Sequence, residues 1–166
     1  MKKVMLTGHR PGKKLNDVEA LAGMKSILER LSVDDDIIVI TGGADGADRL
    51  WARSAMRLKI PYHLYVPNGY SAHYKLGEWF TNMLWAADEI VWTQAGPFEI
   101  KYNFVRNTQM VEAADVHVVC SYKSPELLVK TTKSGGTRHC ANEILKRSIT
   151  PIWLNSLTGE IDDNAS

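Results

Sequence analysis

The chain has 166 residues, 45% of them hydrophobic and 23% charged, which is ordinary for a globular protein with one sizeable core. Its formal net charge of +1 provides no overall basic field for nucleic acid. No apolar stretch reaches the roughly 20 residues that cross a bilayer, the apolar run at the start is too short for a signal peptide, and two cysteines are too few for a disulfide framework. We therefore expect a cytoplasmic protein with reduced thiols and no membrane partner.

Short apolar runs alternate with helical patterns along the chain. They predict strands at 3–7, 37–40, 62–66, 90–92, 116–120 and 151–154, and helices at 17–31, 47–58, 72–87, 98–113 and 134–147. Residues 123–133 are irregular and read as a mobile flap, and the polar end is expected to fray, which gives a domain over 1–155 and a tail over 156–166. The alternation predicts an α/β fold: a single Rossmann-like open sheet, mostly parallel, with helices on both faces.

A glycine-rich turn follows the second predicted strand. It contains Gly42, Gly43, Ala44 and Gly46, and Asp48 lies on the helix that begins there. Glycine adopts positive φ at little cost and allows a bound group to come close, while a helix N-terminus favours an anion. A phosphate is the expected guest, although a tight turn without a ligand has the same pattern. The Walker A motif and the dinucleotide-binding fingerprint are both absent.

Two further glycine-marked turns lie elsewhere in the chain. The first strand ends at Gly8, His9 and Arg10, where the arginine suits bidentate phosphate contacts, although a solvated turn is the alternative. Ligands of open α/β sheets lie outside the carboxyl ends of the strands, near a topological switch point, so we expect all three turns to converge on a nucleotide-like ligand. The last helix opens with the remaining turn, Ser134, Gly135, Gly136, Thr137 and Arg138.

Six stretches together resemble the YpsA-like branch of the SLOG superfamily. They are LTGHRP, TGGADGADRLWA, VPNGY, ADEIV, RNTQMVEAADVHVVC and SGGTRHCANEI, in matching order from about Lys3 to Leu154. The superfamily has a Rossmann-like fold that is shared by the Lonely Guy phosphoribohydrolases, DprA and ligand-sensing domains of bacterial conflict systems. The resemblance implies a pocket for a nucleotide or an ADP-ribose-like ligand, often within a homodimer or higher homo-oligomer.

The resemblance to the Lonely Guy enzymes is incomplete. Those enzymes carry an arginine four residues before a methionine, which Arg106 and Met110 match in RNTQM, so the resemblance implies a phosphate clamp at Arg106 and its neighbour Asn107. They also carry a threonine followed by a pair of glutamates, one of which is catalytic for cleavage of the N-glycosidic bond. Thr137 fits the threonine, but no acid follows it directly. The catalytic carboxylate is therefore missing at the expected place.

The missing glutamates favour binding over chemistry. A carboxylate would stabilise the cationic ribosyl transition state of N-glycoside cleavage, so we expect sensing or sequestering of a nucleotide or ADP-ribose-like ligand, with a phosphoribohydrolase-like N-glycosidase as the alternative. The candidate catalytic residues are Arg106, His139 and Asp48, although His139 also reads as a structural residue and Asp48 as a helix cap. We expect no metal site and no cofactor. Because of the balanced charge, we do not expect a nucleic-acid partner such as single-stranded DNA.

Overall fold

The computed structural model describes residues 1–131 and 135–163 of the chain. Within these ranges, no helix is long and apolar enough to cross a membrane. The elements follow in the order β1 (Lys2–Gly8), α1 (Asp17–Leu31), β2 (Ile37–Thr41), α2 (Ala47–Arg57), β3 (Tyr62–Val66), α3 (Tyr70–Tyr74), α4 (Glu78–Ala86), β4 (Glu89–Trp92), α5 (Lys101–Ala113), β5 (Val116–Ser121), α6 (Pro125–Thr131), α7 (Gly136–Lys146), β6 (Ile152–Asn155) and β7 (Ile161–Asp162).

The strands of the described residues form one sheet in the order β4-β3-β2-β1-β5-β6-β7. Every neighbouring pair is parallel except β6 and β7, which are antiparallel. The chain builds β1 to β4 towards one edge and then returns to the other side of β1 with β5. This arrangement makes the carboxyl ends of β1 and β5 the topological switch point of the sheet, where open α/β folds bind ligands. The predicted α/β fold with a single, mostly parallel sheet is confirmed.

Apolar side chains cover both faces of the sheet because successive residues of a strand point to opposite sides. In β1, Val4 and Leu6 belong to a buried cluster that includes Trp51 of α2. Met5, between them, belongs to a second buried cluster that includes Met110 of α5. Both clusters are closed to water, so the predicted helices on both faces of the sheet are confirmed.

Two predicted segments between the strands differ from the structure. The helix predicted over 72–87 is divided into α3 and α4, because Lys75 adopts a left-handed conformation with φ 52° that ends α3. The predicted flap over 123–133 contains α6, whose Leu128 is buried and donates its backbone N–H to the carbonyl of Ser124 at 2.8 Å. Burial of one leucine and a proline at the first helical position therefore order a segment that lacks a clear apolar period.

The polar segment after Asn155 does not fray over residues 156–163, so that part of the prediction is wrong. Ser156 is fully buried and donates its backbone N–H to the carbonyl of Ser121 at 3.1 Å. Further on, β7 pairs with β6 through Ile161 and Leu154. Chain ends remain ordered when a strand ties them to a sheet, and this strand lies beyond the predicted domain boundary at residue 155.

Candidate functional site

A cavity of about 440 Å³ opens at the switch point of the sheet, a volume within the usual range for small-molecule sites. It lies between the end of β1 with its following loop, the start of α2, one face of α5, α6 and the start of α7. The described residues that line it are Thr7, Gly8, His9, Arg10, Lys14, Ala44, Asp48, Asn103, Phe104, Arg106, Asn107, Leu128, Gly135, Gly136, Thr137 and Arg138.

The cavity brings together most of the residues that the sequence predicts for ligand binding. The β1 turn and the α7 turn both contribute, although they are separated by more than a hundred residues of sequence, because β1 and β5 are neighbours in the sheet. Gly42, Gly43 and Gly46 are not among the described residues that line the cavity. Ser134, the other exception, lies outside the described residues.

The glycines after β2 are packed into the protein. A Cβ atom on Gly43, which has φ +77°, would lie 3.0 Å from Cδ1 of Leu64 and 3.2 Å from Cε2 of Phe80. A Cβ atom on Gly46 would lie 2.5 Å from the carbonyl oxygen of His9. These positions require glycine because neighbouring protein atoms occupy the space that a side chain would fill. The structure therefore gives Gly43 and Gly46 a packing role and does not place them at the cavity.

The N–H groups around the start of α2 are also used within the protein. The N–H of Ala44 donates to Oδ2 of Asp48 at 3.2 Å, and that of Gly46 donates to Oδ1 of Asp45 at 2.8 Å. The N–H of Ala47 donates to the carbonyl of His9 at 3.0 Å. A phosphate at this helix start would have to replace these bonds, so the second turn is a poor phosphate cradle.

The start of α7 is open by comparison. Apart from the adjoining residues and the backbone of α7 itself, no heavy atom of the described residues lies within 4 Å of the Cβ position of Gly135 or of Gly136. The first N–H groups of any helix lack acceptors inside that helix, and the helix dipole makes this end attractive to an anion. Of the two helix starts at the cavity, α7 is therefore the one that can receive a phosphate.

Arg106 is fixed beside this open turn. Its side chain is buried, donates from Nη1 to the carbonyl of Gly42, and donates from Nε to Oδ1 of Asn107 at 3.1 Å. The guanidinium also lies over the ring of Tyr70, 5.6 Å from the centroid. Nη2 has no hydrogen-bond partner within residues 1–131 and 135–163, so part of the fork remains for a ligand. Asn107 in turn donates from Nδ2 to the carbonyl of Gly136 at 3.4 Å.

Asp48 is the carboxylate of the cavity. Burial raises its pKa from the usual value of 3.8 to about 6, against the opposing effect of the positive charges of Arg106 and Arg10. Its Oδ2 accepts from the N–H of Ala44, so it braces the turn before α2; the N-cap of that helix is Gly46, and the capping role that the sequence suggests for Asp48 is wrong. Asp48 therefore combines a structural role with a carboxyl group that changes charge near neutral pH at the cavity wall.

The remaining charged groups make the cavity positive. Arg10, Lys14 and Arg138 join Arg106 in the lining, and Asp48 is the single acid among the described lining residues. His9 contributes no charge at neutral pH, because burial and the nearby Lys14 lower its pKa to about 4. A cavity with more basic than acidic side chains in its lining is suited to an anionic ligand.

His139 and Glu143 lie beside the cavity and are absent from its described lining. The ring of His139 packs edge-on against Phe104 with a centroid distance of 4.7 Å, and burial lowers its pKa. Glu143 accepts a hydrogen bond from Lys146 at 2.5 Å and another from Arg147, which keeps its carboxylate engaged. Neither side chain replaces the missing catalytic glutamate. No group of three or more potential metal-binding His, Cys, Asp or Glu residues is present in the described parts of the chain.

Several lining residues are missing from the sequence-based prediction. Asn103 and Phe104 precede Arg106 on α5, and the spacing of three residues places Asn103 on the same helix face as Arg106. This spacing is a signal that points to Asn103. Lys14 and Leu128 come from a loop and from a short helix, and no periodicity in the sequence marks them.

No protein-family model and no curated protein matches this sequence. Solved structures that resemble its fold include the following three. The structural-genomics target TM1055 aligns with a TM-score of 0.60 and 17% identity over 96% of this chain and 76% of its own. DNA processing protein A (DprA) from Streptococcus pneumoniae aligns with a TM-score of 0.64 and 13% identity, covering 92% of this chain and 50% of its own. DprA from Helicobacter pylori aligns with a TM-score of 0.63 and 16% identity, covering 99% of this chain and 70% of its own.

The chain shares the fold of TM1055 and of the two DprA structures, which agrees with the resemblance to the SLOG superfamily in its sequence. At these identities the likeness concerns the fold alone, and the chain spans only half the length of the S. pneumoniae protein. The H. pylori structure concerns a single-stranded DNA binding mode, so proteins with this fold include a DNA-binding one. The sequence-based expectation of no nucleic-acid partner is therefore wrong, because it used the net charge of the whole chain, whereas the cavity carries its own positive charge.

Proposed function

We propose that this protein binds a nucleotide or an ADP-ribose-like ligand, for sensing or sequestering, with a phosphate held between the start of α7 and Arg106. The observation that carries this proposal is the position of Asn107, which accepts from Nε of Arg106 and donates to the carbonyl of Gly136. One amide thus links the buried guanidinium to the open helix start. An anion at this junction receives a charge-assisted hydrogen bond from the arginine and the favourable end of the helix dipole.

The charge and shape of the cavity support the same ligand class. A phosphate monoester carries about −1.5 to −2 charges at neutral pH, which offsets a large part of the positive charge of the four basic residues in the lining. Phe104, which is partly exposed, offers apolar surface for the rest of the ligand.

The test is calorimetric titration with AMP and ADP-ribose of the purified protein, of Arg106→Ala and of Arg53→Ala. Arg53 is an exposed arginine of α2 outside the described lining, so its variant removes the same charge without touching the cavity. We expect Arg106→Ala to weaken binding by about 1.5–3 kcal/mol, roughly 10- to 150-fold, and Arg53→Ala to bind like the wild type. Equal affinities of a folded Arg106→Ala variant and the wild type would remove Arg106 from the site.

The same experiment distinguishes binding from hydrolysis. Each recovered mixture is analysed by chromatography for free adenine. Intact ligand supports a sensing or sequestering protein. Released adenine would replace that proposal with N-glycoside hydrolysis, and Asp48, the single carboxylate in the described lining, would be the first residue to substitute.

Single-stranded DNA is a second candidate ligand, favoured by one surface feature beside the cavity. Lys14 and Lys123 place their ammonium groups 5.2 and 5.1 Å from the ring centroid of Tyr122, and His9 packs against the same ring. Basic groups next to an aromatic ring are typical of surfaces that bind single strands. Fluorescence anisotropy with a labelled oligothymidylate tests this candidate. We expect DNA binding that weakens with salt and is lost in Lys14→Ala; salt-insensitive or absent binding would reject it.

A further inference from the structure

The wall formed by α5 has features that a phosphate site alone does not require. Arg106 and Asn107 lie next to the start of α7, as described above. Asn103 and Phe104 line the same cavity about one helical turn closer to the N-terminus of α5. A nucleotide whose phosphate lies at Arg106 therefore has its sugar and base available to these two side chains.

Asn103 holds a fixed amide with an unused acceptor. Its Nδ2 donates to the hydroxyl of Tyr74 at 2.8 Å, which holds the amide at the tyrosine. Its Oδ1 is buried and accepts no hydrogen bond from the described residues. A buried carbonyl oxygen without a donor is unfavourable, so a ligand N–H at this wall would satisfy a group that the protein leaves unpaired.

Phe104 provides an aromatic surface beside this amide. The residue is 40% exposed, so part of its ring is free to contact a ligand. One part of the ring is held by His139, in an edge-on contact with a centroid distance of 4.7 Å. Exposed aromatic rings stack on nucleobases of any type, so Phe104 provides base affinity while a neighbouring polar group is needed for base selection.

We propose that Asn103, positioned by Tyr74, selects ligands whose base carries an amino group beside an unprotonated ring nitrogen, as adenine and cytosine do. This inference rests on the proposed nucleotide-binding function. Oδ1 accepts from the amino group of the base, and the second hydrogen of Nδ2 donates to the ring nitrogen. An asparagine amide matches this pair of groups in two hydrogen bonds. Hypoxanthine and uracil present a carbonyl and a ring N–H instead. Oδ1 would then face a second acceptor and the Nδ2 hydrogen would face a second donor, so neither hydrogen bond could form.

The test compares AMP with its oxo counterpart IMP, and CMP with UMP, by calorimetric titration, with ribose 5-phosphate as a probe that lacks a base. A well-placed pair of hydrogen bonds corresponds to a discrimination of roughly 5- to 150-fold. We expect wild-type protein to prefer AMP over IMP and CMP over UMP within this range. Asn103→Leu should bind the members of each pair equally, and its affinity for ribose 5-phosphate should stay at the wild-type level.

Two further variants separate positioning from general damage. In Tyr74→Phe the amide of Asn103 loses the hydroxyl that positions it. The ratios of AMP to IMP affinity and of CMP to UMP affinity should therefore fall towards one, while affinity for ribose 5-phosphate is kept. Asn82→Leu, an exposed asparagine of α4, is the matched control and should retain the wild-type preference. A Tyr74→Phe variant with the full preference would show that Tyr74 does not position the amide.

The outcomes separate this inference from the function on which it rests. If ribose 5-phosphate binds and depends on Arg106, but AMP and IMP bind equally to the wild type, base selection by Asn103 is refuted and the phosphate site stands. An unchanged preference in Asn103→Leu refutes the inference in the same way. If neither ribose 5-phosphate, nor any of the four nucleotides, nor ADP-ribose binds, the proposed function itself fails.

Discussion

Replacing Gly136 by valine should weaken ligand binding and leave folding intact. Apart from the adjoining residues and the backbone of α7 itself, the Cβ position of Gly136 meets no heavy atom of the described residues within 4 Å, and its backbone is not in the positive-φ region. In a helix, valine is slightly favoured over glycine, so the free energy of unfolding should change by less than about 0.5 kcal/mol. The new side chain fills space at the cavity, where we place the phosphate. Loss of one charge-assisted hydrogen bond costs about 1.5–3 kcal/mol, which is roughly 10- to 150-fold in affinity.

The matched change is Gly43→Val in the turn after β2. A side chain at φ +77° costs about 1–2 kcal/mol of conformational energy in the folded state. Its Cβ would also lie 3.0 Å from Leu64 and 3.2 Å from Phe80, and overpacking of this kind costs about another 1–3 kcal/mol. This variant should therefore lose stability by roughly 2–5 kcal/mol, and its folded molecules should bind ligand with normal affinity.

We would test Gly136→Val and Gly43→Val against the wild type by urea unfolding and by calorimetric titration with ADP-ribose. The expected result is a crossed pattern in which one glycine affects affinity and the other affects stability. Wild-type affinity in Gly136→Val would exclude the start of α7 from the site. A stable Gly43→Val variant that fails to bind would show instead that the β2 turn holds the phosphate.

Three further predictions concern buried polar groups. The pKa of Asp48 is about 6 in the folded protein, against a usual 3.8. The folded state therefore binds this proton more tightly than the unfolded state, which stabilises the fold below pH 3.8. This stabilisation is lost as the pH rises through 6. Asp48→Asn should therefore be up to about 3 kcal/mol more stable than wild type at pH 8, with the difference gone below pH 4, by urea unfolding. Burial raises the pKa of Cys120 and Cys140 to about 12, so neither thiol should react with a thiol reagent at pH 8 until urea unfolds the chain. Tyr62→Phe removes the buried hydroxyl that donates to the carbonyl of Met83 and should cost about 1–3 kcal/mol in thermal unfolding.

The sheet could be predicted because its strands carry strong local signals. The run from Val116 to Cys120 is apolar at nearly every position, as a strand buried on both faces must be, and the structure places β5 there beside β1. The short β7 carries no such signal. Its two residues, Ile161 and Asp162, become a strand because β6 offers them a free edge, and that edge exists only in the folded sheet.

The roles of the glycines could not be separated from the sequence. Gly43 and Gly136 both lie in a Gly-Gly pair in a turn before a helix, and local conformation is all that such a pattern specifies. The difference between them is what occupies the space beside the missing Cβ: Leu64 and Phe80 for Gly43, and an open cavity for Gly136. That space is filled by residues distant in sequence, so the distinction arises only from tertiary packing.

The charge of the site illustrates the same limit for a long-range property. The net charge of +1 describes the sum over the chain, whereas a ligand is attracted by the charges that share its cavity. Arg10 and Lys14 after β1, Arg106 on α5 and Arg138 on α7 come together only because the chain reverses between β1 and β5, and Asp48 alone opposes them in the described lining. The topology thus gives the cavity a positive charge that the net charge of the whole chain does not reveal. The net charge of the whole chain is therefore no argument against the anionic ligands proposed above.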